Sequence, residues 1–269
     1  MAILAAFVFA AARTGLPLDS RAAILFATSF ALELVDSSLG MGYGTTLTAI
    51  LLLFGIPPLE LVPAVLVSQF LCGFSAGFFH AESGNVRLDR GGPHLRAILL
   101  LSSFSLVGSV AGVVAAFSLS STALTAAIGS IILASGALIL IGRRRGFLYR
   151  GWKIGALALV ASFNKSLSGG GYGPIMTGGQ ILSGIEARAA VGITSFAEGF
   201  TCLVGTVMFL VEGRGWNREL LLPVVAGAML SVPISARLVR RVREAWMKQV
   251  IAWATMTMGV VILARLLWR

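Results

Sequence analysis

The chain has 269 residues, of which AVILMFWYC make up 57% and glycine 32 positions, while charged residues fall to 12%. Soluble domains carry about 45 to 50% apolar and about 25% charged residues, so these charges are too few to coat a globule; disordered chains, apolar-poor and charge-rich, are excluded by the same numbers. The mean hydropathy of +0.91 marks an integral membrane protein, and the net charge of +10 lies between apolar runs, as in loops that set membrane orientation, not as the basic face of a nucleic-acid-binding module.

In chain order, residues 1–19 read as a short N-terminal helix; no basic segment precedes the apolar stretch, and Arg13 and Pro17 do not make a cleavage site. Residues 22–32 are uncharged and stop at Glu33 and Asp36, and the glycine-rich Gly40-Met41-Gly42-Tyr43-Gly44-Thr45 follows. A short apolar piece, 45–56, comes next. Residues 61–81, 97–117 and 123–141 contain no Asp, Glu, Lys or Arg and are long enough to cross a bilayer, which takes about 20 residues. A basic connector spans 143–153. Residues 154–164 are uncharged up to Lys165, followed by Ser168-Gly169-Gly170-Gly171-Tyr172-Gly173-Pro174 and a second short piece, 175–185. The run 189–211 holds only Glu198, and 220–236 and 249–264 are uncharged. Glycine costs about 1 kcal/mol and proline about 3 per helical position, so each glycine-rich stretch predicts an interruption, with Pro174 in the first turn of the restarted helix. A broken helix or a re-entrant hairpin satisfies this pattern.

An offset of 129 residues superposes Gly42-Tyr43-Gly44 on Gly171-Tyr172-Gly173, Thr48 on Thr177, Leu53 on Leu182 and Gly55-Ile56 on Gly184-Ile185; it also sets Gln69 on Glu198 and Asp36 on Lys165. The fold predicted is an all-α integral membrane protein with one transmembrane domain of two repeats, 20–142 and 154–269, each a glycine-broken segment followed by three transmembrane helices. The loops 82–96, 142–153 and 237–248 are basic and predicted cytoplasmic, whereas 118–122, the counterpart of 237–248, is uncharged and predicted to face outward. Equivalent loops on opposite sides make the repeats inverted.

Irregular backbone at membrane depth survives only inside protein or along a cavity, so two breaks imply a site between them. Half-helix N-termini and bare glycine N–H groups attract a small anion. Candidate binding residues are Asn164, Lys165, Ser166, Ser168, Gly169, Gly170, Gly171 and Tyr172 in the second half, and Gly40, Gly42, Tyr43, Gly44 and Thr45, with Thr46, in the first. Glu198, Glu33, Asp36 and Gln69 are candidate coupling or gating residues, because an ionisable group inside a span is costly. Lys165 either faces an anion or pairs structurally with Asp36. His80 reads as an interfacial histidine at a helix end, Cys72 and Cys202 as buried thiols, and Gly73, Gly77, Gly108 and Gly112 as helix-packing positions. Nucleotide-binding, zinc-protease and serine-hydrolase signatures are missing from the sequence, so no enzyme, metal site or cofactor is expected.

The run Asn164-Lys165-Ser166-Leu167-Ser168-Gly169-Gly170-Gly171-Tyr172-Gly173-Pro174, with Ala190-Val191-Gly192-Ile193-Thr194-Ser195 beyond it and a degenerate copy at Gly40-Met41-Gly42, resembles the sulfite exporter TauE/SafE family of membrane permeases. The resemblance implies export of sulfite or small organosulfonate anions across the plasma (inner) membrane. The partners expected are a small anionic sulfur compound, the lipid bilayer and, as an allowed assembly, a second copy in a homodimer. A secondary transporter is the leading reading, with proton movement through Glu198 or Glu33; a passive anion channel and a non-transporting membrane subunit are the alternatives.

Overall fold

The computed structural model describes residues 18–141, 151–213, 216–238 and 244–268. Residues 1–17 of the expected N-terminal helix, 143–150 of the connector and 239–243 of the 237–248 loop lie outside the described residues. Ten helices follow: α1 Leu18–Leu39, α2 Tyr43–Leu53, α3 Pro58–Glu82, α4 Pro93–Ser118, α5 Ser121–Ile141, α6 Gly151–Ser168, α7 Tyr172–Leu182, α8 Ala187–Glu212, α9 Arg218–Leu238 and α10 Glu244–Leu267. Seven of them, among the described residues, are long and apolar enough to cross a membrane; α2 and α7, each 11 residues, are about 16 Å long at 1.5 Å per residue and cannot.

Both interruptions fall at glycine. α1 runs unbroken through Glu33 and Asp36 to Leu39, and α6 carries Lys165 in its last turn before stopping at Ser168. The ionisable groups therefore sit inside helices, one turn before each break. Gly40, Gly42, Gly169 and Gly171 have φ of 69°, 124°, 76° and 83°, a region that an L side chain resists. Pro174 lies in the first turn of α7, as expected, because its missing N–H costs nothing there.

The breaks turn the chain back on itself. Gln69 of α3 bonds Glu33 of α1, and His80, near the end of α3, bonds Ser37, near the end of α1; α1 and α3 thus run the same way. Yet α2 leads within a few residues into the start of α3, so Gly40–Gly42 is the tip of a helical hairpin, which decides between the two readings of the break. α6 runs parallel to α4, since Gly155, Gly108 and Gly112 lie against Phe104, Leu159 and Phe163 respectively. α3 and α8 are antiparallel: Gly77 rests on Phe196, Gly73 on Gly199 and Leu66 on Gly205. α6 and α7 accordingly form a second hairpin leading into α8.

The main helix pairs are α1 with α9, α4 with α6, α3 with α8 and α5 with α10, followed by α4 with α8 and α3 with α9. Exchanging each of the first five helices for the one five places later reproduces this set. Glycine makes the closest approaches, as small residues do in membranes where lipid is as apolar as leucine. A Cβ on Gly73 would lie 2.8 Å from the Ser195 carbonyl, and one on Gly112 would lie 2.5 Å from that of Phe163.

These contacts set a paired expectation for stability. Gly112→Ala pushes against backbone and should destabilise by about 1 to 3 kcal/mol, whereas Gly178→Ala, whose Cβ would meet nothing within 4 Å, should be neutral or stabilising by up to about 1 kcal/mol. Thermal unfolding in detergent measures both, and wild-type stability of Gly112→Ala would contradict the α4–α6 backbone contact.

Candidate functional site

The centre of the bundle is built around one cation. Lys165 is only 1% exposed, and its Nζ lies 2.7 Å from Glu198 Oε1 and donates to Gln69 Oε1 at 2.9 Å. Gln69 Nε2 donates in turn to Glu33 Oε2 at 2.7 Å, and Ser37 Oγ donates to Glu33 Oε1 at 2.6 Å. Four helices, α1, α3, α6 and α8, thereby contribute to one buried chain of polar contacts, as a low-dielectric interior requires of any charge it holds. The lysine's partner is Glu198 and not Asp36, which corrects the ion pair considered from the repeat alignment. Asp36 instead accepts the Tyr43 N–H at 2.9 Å, so its carboxylate occupies the N-terminus of α2 from one turn behind the break, where a negative charge is favoured.

The two glycine turns pack directly on one another. Gly44 faces the Gly169 carbonyl, and a Cβ there would also come 2.7 Å from Lys165 Nζ; a Cβ on Gly170 would lie 2.8 Å from Thr45 Cα, and Gly173 faces the Gly40 carbonyl. Glycine at 44 is thus what lets the ammonium approach the first turn of α2. Across this junction Thr48 Oγ1 donates to Ser168 O at 3.1 Å and Thr177 Oγ1 to Gly40 O at 2.8 Å. These threonines superpose at the 129-residue offset, and each closes a carbonyl of the opposite break. They were visible in the sequence as repeat markers, but not as cross-links.

The remaining candidates are placed as follows. Ser168 Oγ accepts the Gly170 N–H at 3.1 Å and Thr45 Oγ1 accepts the Gly171 N–H at 3.3 Å, so two glycine donors expected to hold an anion are engaged by the protein. Ser166 Oγ lies 2.5 Å from Ser109 Oγ. Tyr43 and Tyr172 open the two short helices with fully buried rings; the Tyr43 hydroxyl sits between Ser29 and Ser68, and that of Tyr172 by Ser105. Asn164 is half-buried, its Cβ 3.4 Å from the position of a Cβ on Gly171. Thr46 Oγ1, fully buried in the first turn of α2, has no hydrogen-bond partner among the described residues.

His80 departs from the interfacial reading. It is buried, with Nε2 3.1 Å from Ser37 O and Nδ1 3.0 Å from Asn85 Nδ2, because the turn after α3 folds back over it. Cys72 and Cys202 are buried free thiols, as expected. A separate open cavity of about 890 Å³ lies at the far end of α2, lined by Leu52–Pro58, Ser121, Thr125 and the last turns of α10, and contains none of the candidate residues.

Half-length helices that meet at a buried charge, inside a bundle of membrane-length ones, are the parts of a multi-pass membrane transporter. The chain belongs to the sulfite exporter TauE/SafE family, whose model matches residues 25–262. It is similar to the probable membrane transporter protein YtnM of Bacillus subtilis (strain 168), with 29% identity over 225 residues covering 78% of this chain and 71% of that protein. No solved structure matches it.

A buried pair of this kind should answer to removal of one partner more than of both. Lys165→Met leaves Glu198 unpaired and should cost about 3 to 5 kcal/mol, whereas the double variant Lys165→Met/Glu198→Gln should recover most of that loss. Melting temperatures of the two proteins in detergent test this; equal destabilisation by the single and double variants would contradict the pairing.

Proposed function

We propose that the protein is a secondary transporter that exports small sulfur-containing oxyanions, sulfite or organosulfonates, across the plasma membrane in exchange with proton movement. The observation that carries this reading is the buried Lys165 ammonium, held by Glu198 and Gln69 against the first turn of α2. An anion that displaces the Glu198 carboxylate would meet Lys165 where it lies against Gly44 in the first turn of α2. A unit charge pair about 4 Å apart is worth about 4 kcal/mol at an effective dielectric of about 20, enough for an anion to compete with Glu198 for the ammonium. The family match and the relative's name as a probable membrane transporter support transport; the sulfur oxyanion comes from the family description.

Carrier action is favoured over a channel by the direct packing of Gly44 on Gly169 and of Gly173 on Gly40, which leaves the two breaks in contact. Access then requires the halves to rock apart. Inverted repeats at 20–142 and 154–269 are supported by the antiparallel run of α3 and α8, and by hairpins that enter the bundle from opposite ends. The end of α10 shares the α2-end cavity with the start of α5, so the start of α10 at Glu244 lies at the opposite end of the bundle from residues 118–122, which supports that reading. That agrees with a cytoplasmic placing of the basic loops.

Proteoliposome flux tests the function. Sulfite accumulation should follow an imposed pH gradient and fall by at least about a hundredfold in Gly171→Val, whose side chain would need φ near 83° and would crowd Ile131 and Ser135. Sulfite flux that ignores the gradient and saturates no faster than diffusion would favour a channel, and no flux at all a non-transporting subunit. Labelling of single cysteines at Ser120 and Arg241 should occur from opposite sides of the membrane; labelling from the same side would remove the inverted repeat.

A further inference from the structure

Resting on the proton-coupled reading above, we propose that Gln69 is the positioning residue that passes the charge state of Glu33 to Lys165, so that a proton arriving on Glu33 loosens the lysine for the anion. The amide has no freedom of orientation as it stands. Lys165 offers only donors and so must face Oε1, at 2.9 Å; this turns Nε2 to Glu33, 2.7 Å away. Glu33 must then present an acceptor, and as a carboxylate it does so at both oxygens, taking Gln69 Nε2–H on one and Ser37 Oγ–H on the other. Hydrogen bonds to an ionised group are roughly twice as strong as neutral ones, so the carboxylate locks the amide, and the amide holds Lys165.

The step itself is one proton passing from hydronium to the Glu33 carboxylate: one O–H bond of the hydronium breaks, leaving water, and one O–H bond forms on Glu33. On Oε2 that proton sets a donor against the Nε2–H donor and turns the amide over, away from an ammonium that cannot accept. On Oε1 it reverses the Ser37 bond and leaves a neutral carbonyl facing Nε2, with the charge-assisted anchor lost. Either site weakens the grip on Lys165, and the effect runs backward equally: an anion that draws Lys165 away frees Gln69 and alters the proton affinity of Glu33. A chain with a carboxyl at each end and a single ammonium within it has the composition for such exchange.

The groups facing Glu33 are few. Among the described residues they are Asp36 and Ser37 on α1, Tyr43 on α2, Gln69 and Cys72 on α3, Lys165 on α6, and Glu198 and Cys202 on α8. α9, packed along α1, buries Leu220, Val224, Ala228, Ser231, Val232 and Ser235, none of which titrates. Among the described residues, Lys165 reaches Glu33 by hydrogen bonds through Gln69, which is why the amide is the point to test.

Two readouts on purified, lipid-reconstituted protein test the relay. Infrared difference spectra without anion should show a carboxylic C=O band that rises on acidification and is lost in Glu33→Gln. Glu198→Gln should move its midpoint in wild type and move it at least about threefold less, as a proton-affinity ratio, in a Gln69→Met background, which is the criterion of coupling through an intermediate. Sulfite affinity by calorimetry at two pH values a unit apart, with identical sulfite speciation for every variant, should change by up to about tenfold more in wild type than in Gln69→Met or Glu33→Gln. Gln69→Asn, which keeps the amide but shortens its reach, takes the place of Gln69→Met if that variant does not insert. A titrating band that persists in Glu33→Gln, or an undiminished coupling and pH response in folded Gln69 variants, would overturn the relay. Absence of sulfite binding in the wild type would overturn the sulfite reading alone, because the infrared cycle needs no anion.

Discussion

An ammonium buried at the centre of a membrane bundle has to be compensated where it stands, since neither water nor lipid can do it. Lys165 obtains that compensation from Glu198 on α8 and Gln69 on α3, so the helices that follow the two breaks are drawn to the same point. Gln69 and Glu198 fall on one another at the 129-residue offset, and the lysine lies between them. The rest of the core accommodates this demand. Gly44 clears room for Nζ, and Asp36, the residue equivalent to Lys165, is consumed in capping α2.

The same geometry explains why the junction is rich in small residues. Two hairpin tips meeting inside a bilayer bring backbone to backbone, and every N–H and C=O there must find a partner within the protein. Thr48 and Thr177 close one carbonyl each across the interface, while Thr45 and Ser168 take the N–H groups of Gly171 and Gly170. The Gly170 and Gly171 N–H groups are thus engaged within the protein, and on the transporter reading proposed above they would become available to a ligand only when the tips separate.

The polar chain from Ser37 to Glu198 is the feature on which the proposed exchange rests. Its members are individually ordinary membrane hydrogen bonds, but they join an acid on α1 to an acid on α8 through one amide and one ammonium, across helices of both halves. In the proposed relay, charge added or withdrawn at one end acts on the other through groups that already touch.

Much of this was legible in the sequence. Composition and run lengths sufficed for a membrane bundle, because burial in lipid filters residue types over some 20 positions at a time. Gly40 to Gly44 and Ser168 to Pro174 marked both interruptions, since left-handed backbone and lost helical hydrogen bonds select glycine and proline locally. The 129-residue offset picked out Asp36, Lys165, Gln69 and Glu198 together, and the roles of Gly73, Gly77, Gly108 and Gly112 as packing positions followed from spacing. Partner choice did not follow. That Lys165 meets Glu198 instead of Asp36, that Thr48 and Thr177 bridge the breaks, and that His80 is buried against Ser37 depend on which helices lie side by side and on the sense in which each hairpin turns. Those are distances between residues up to 137 positions apart, fixed by the packing of the whole bundle, and no local pattern in the chain encodes them.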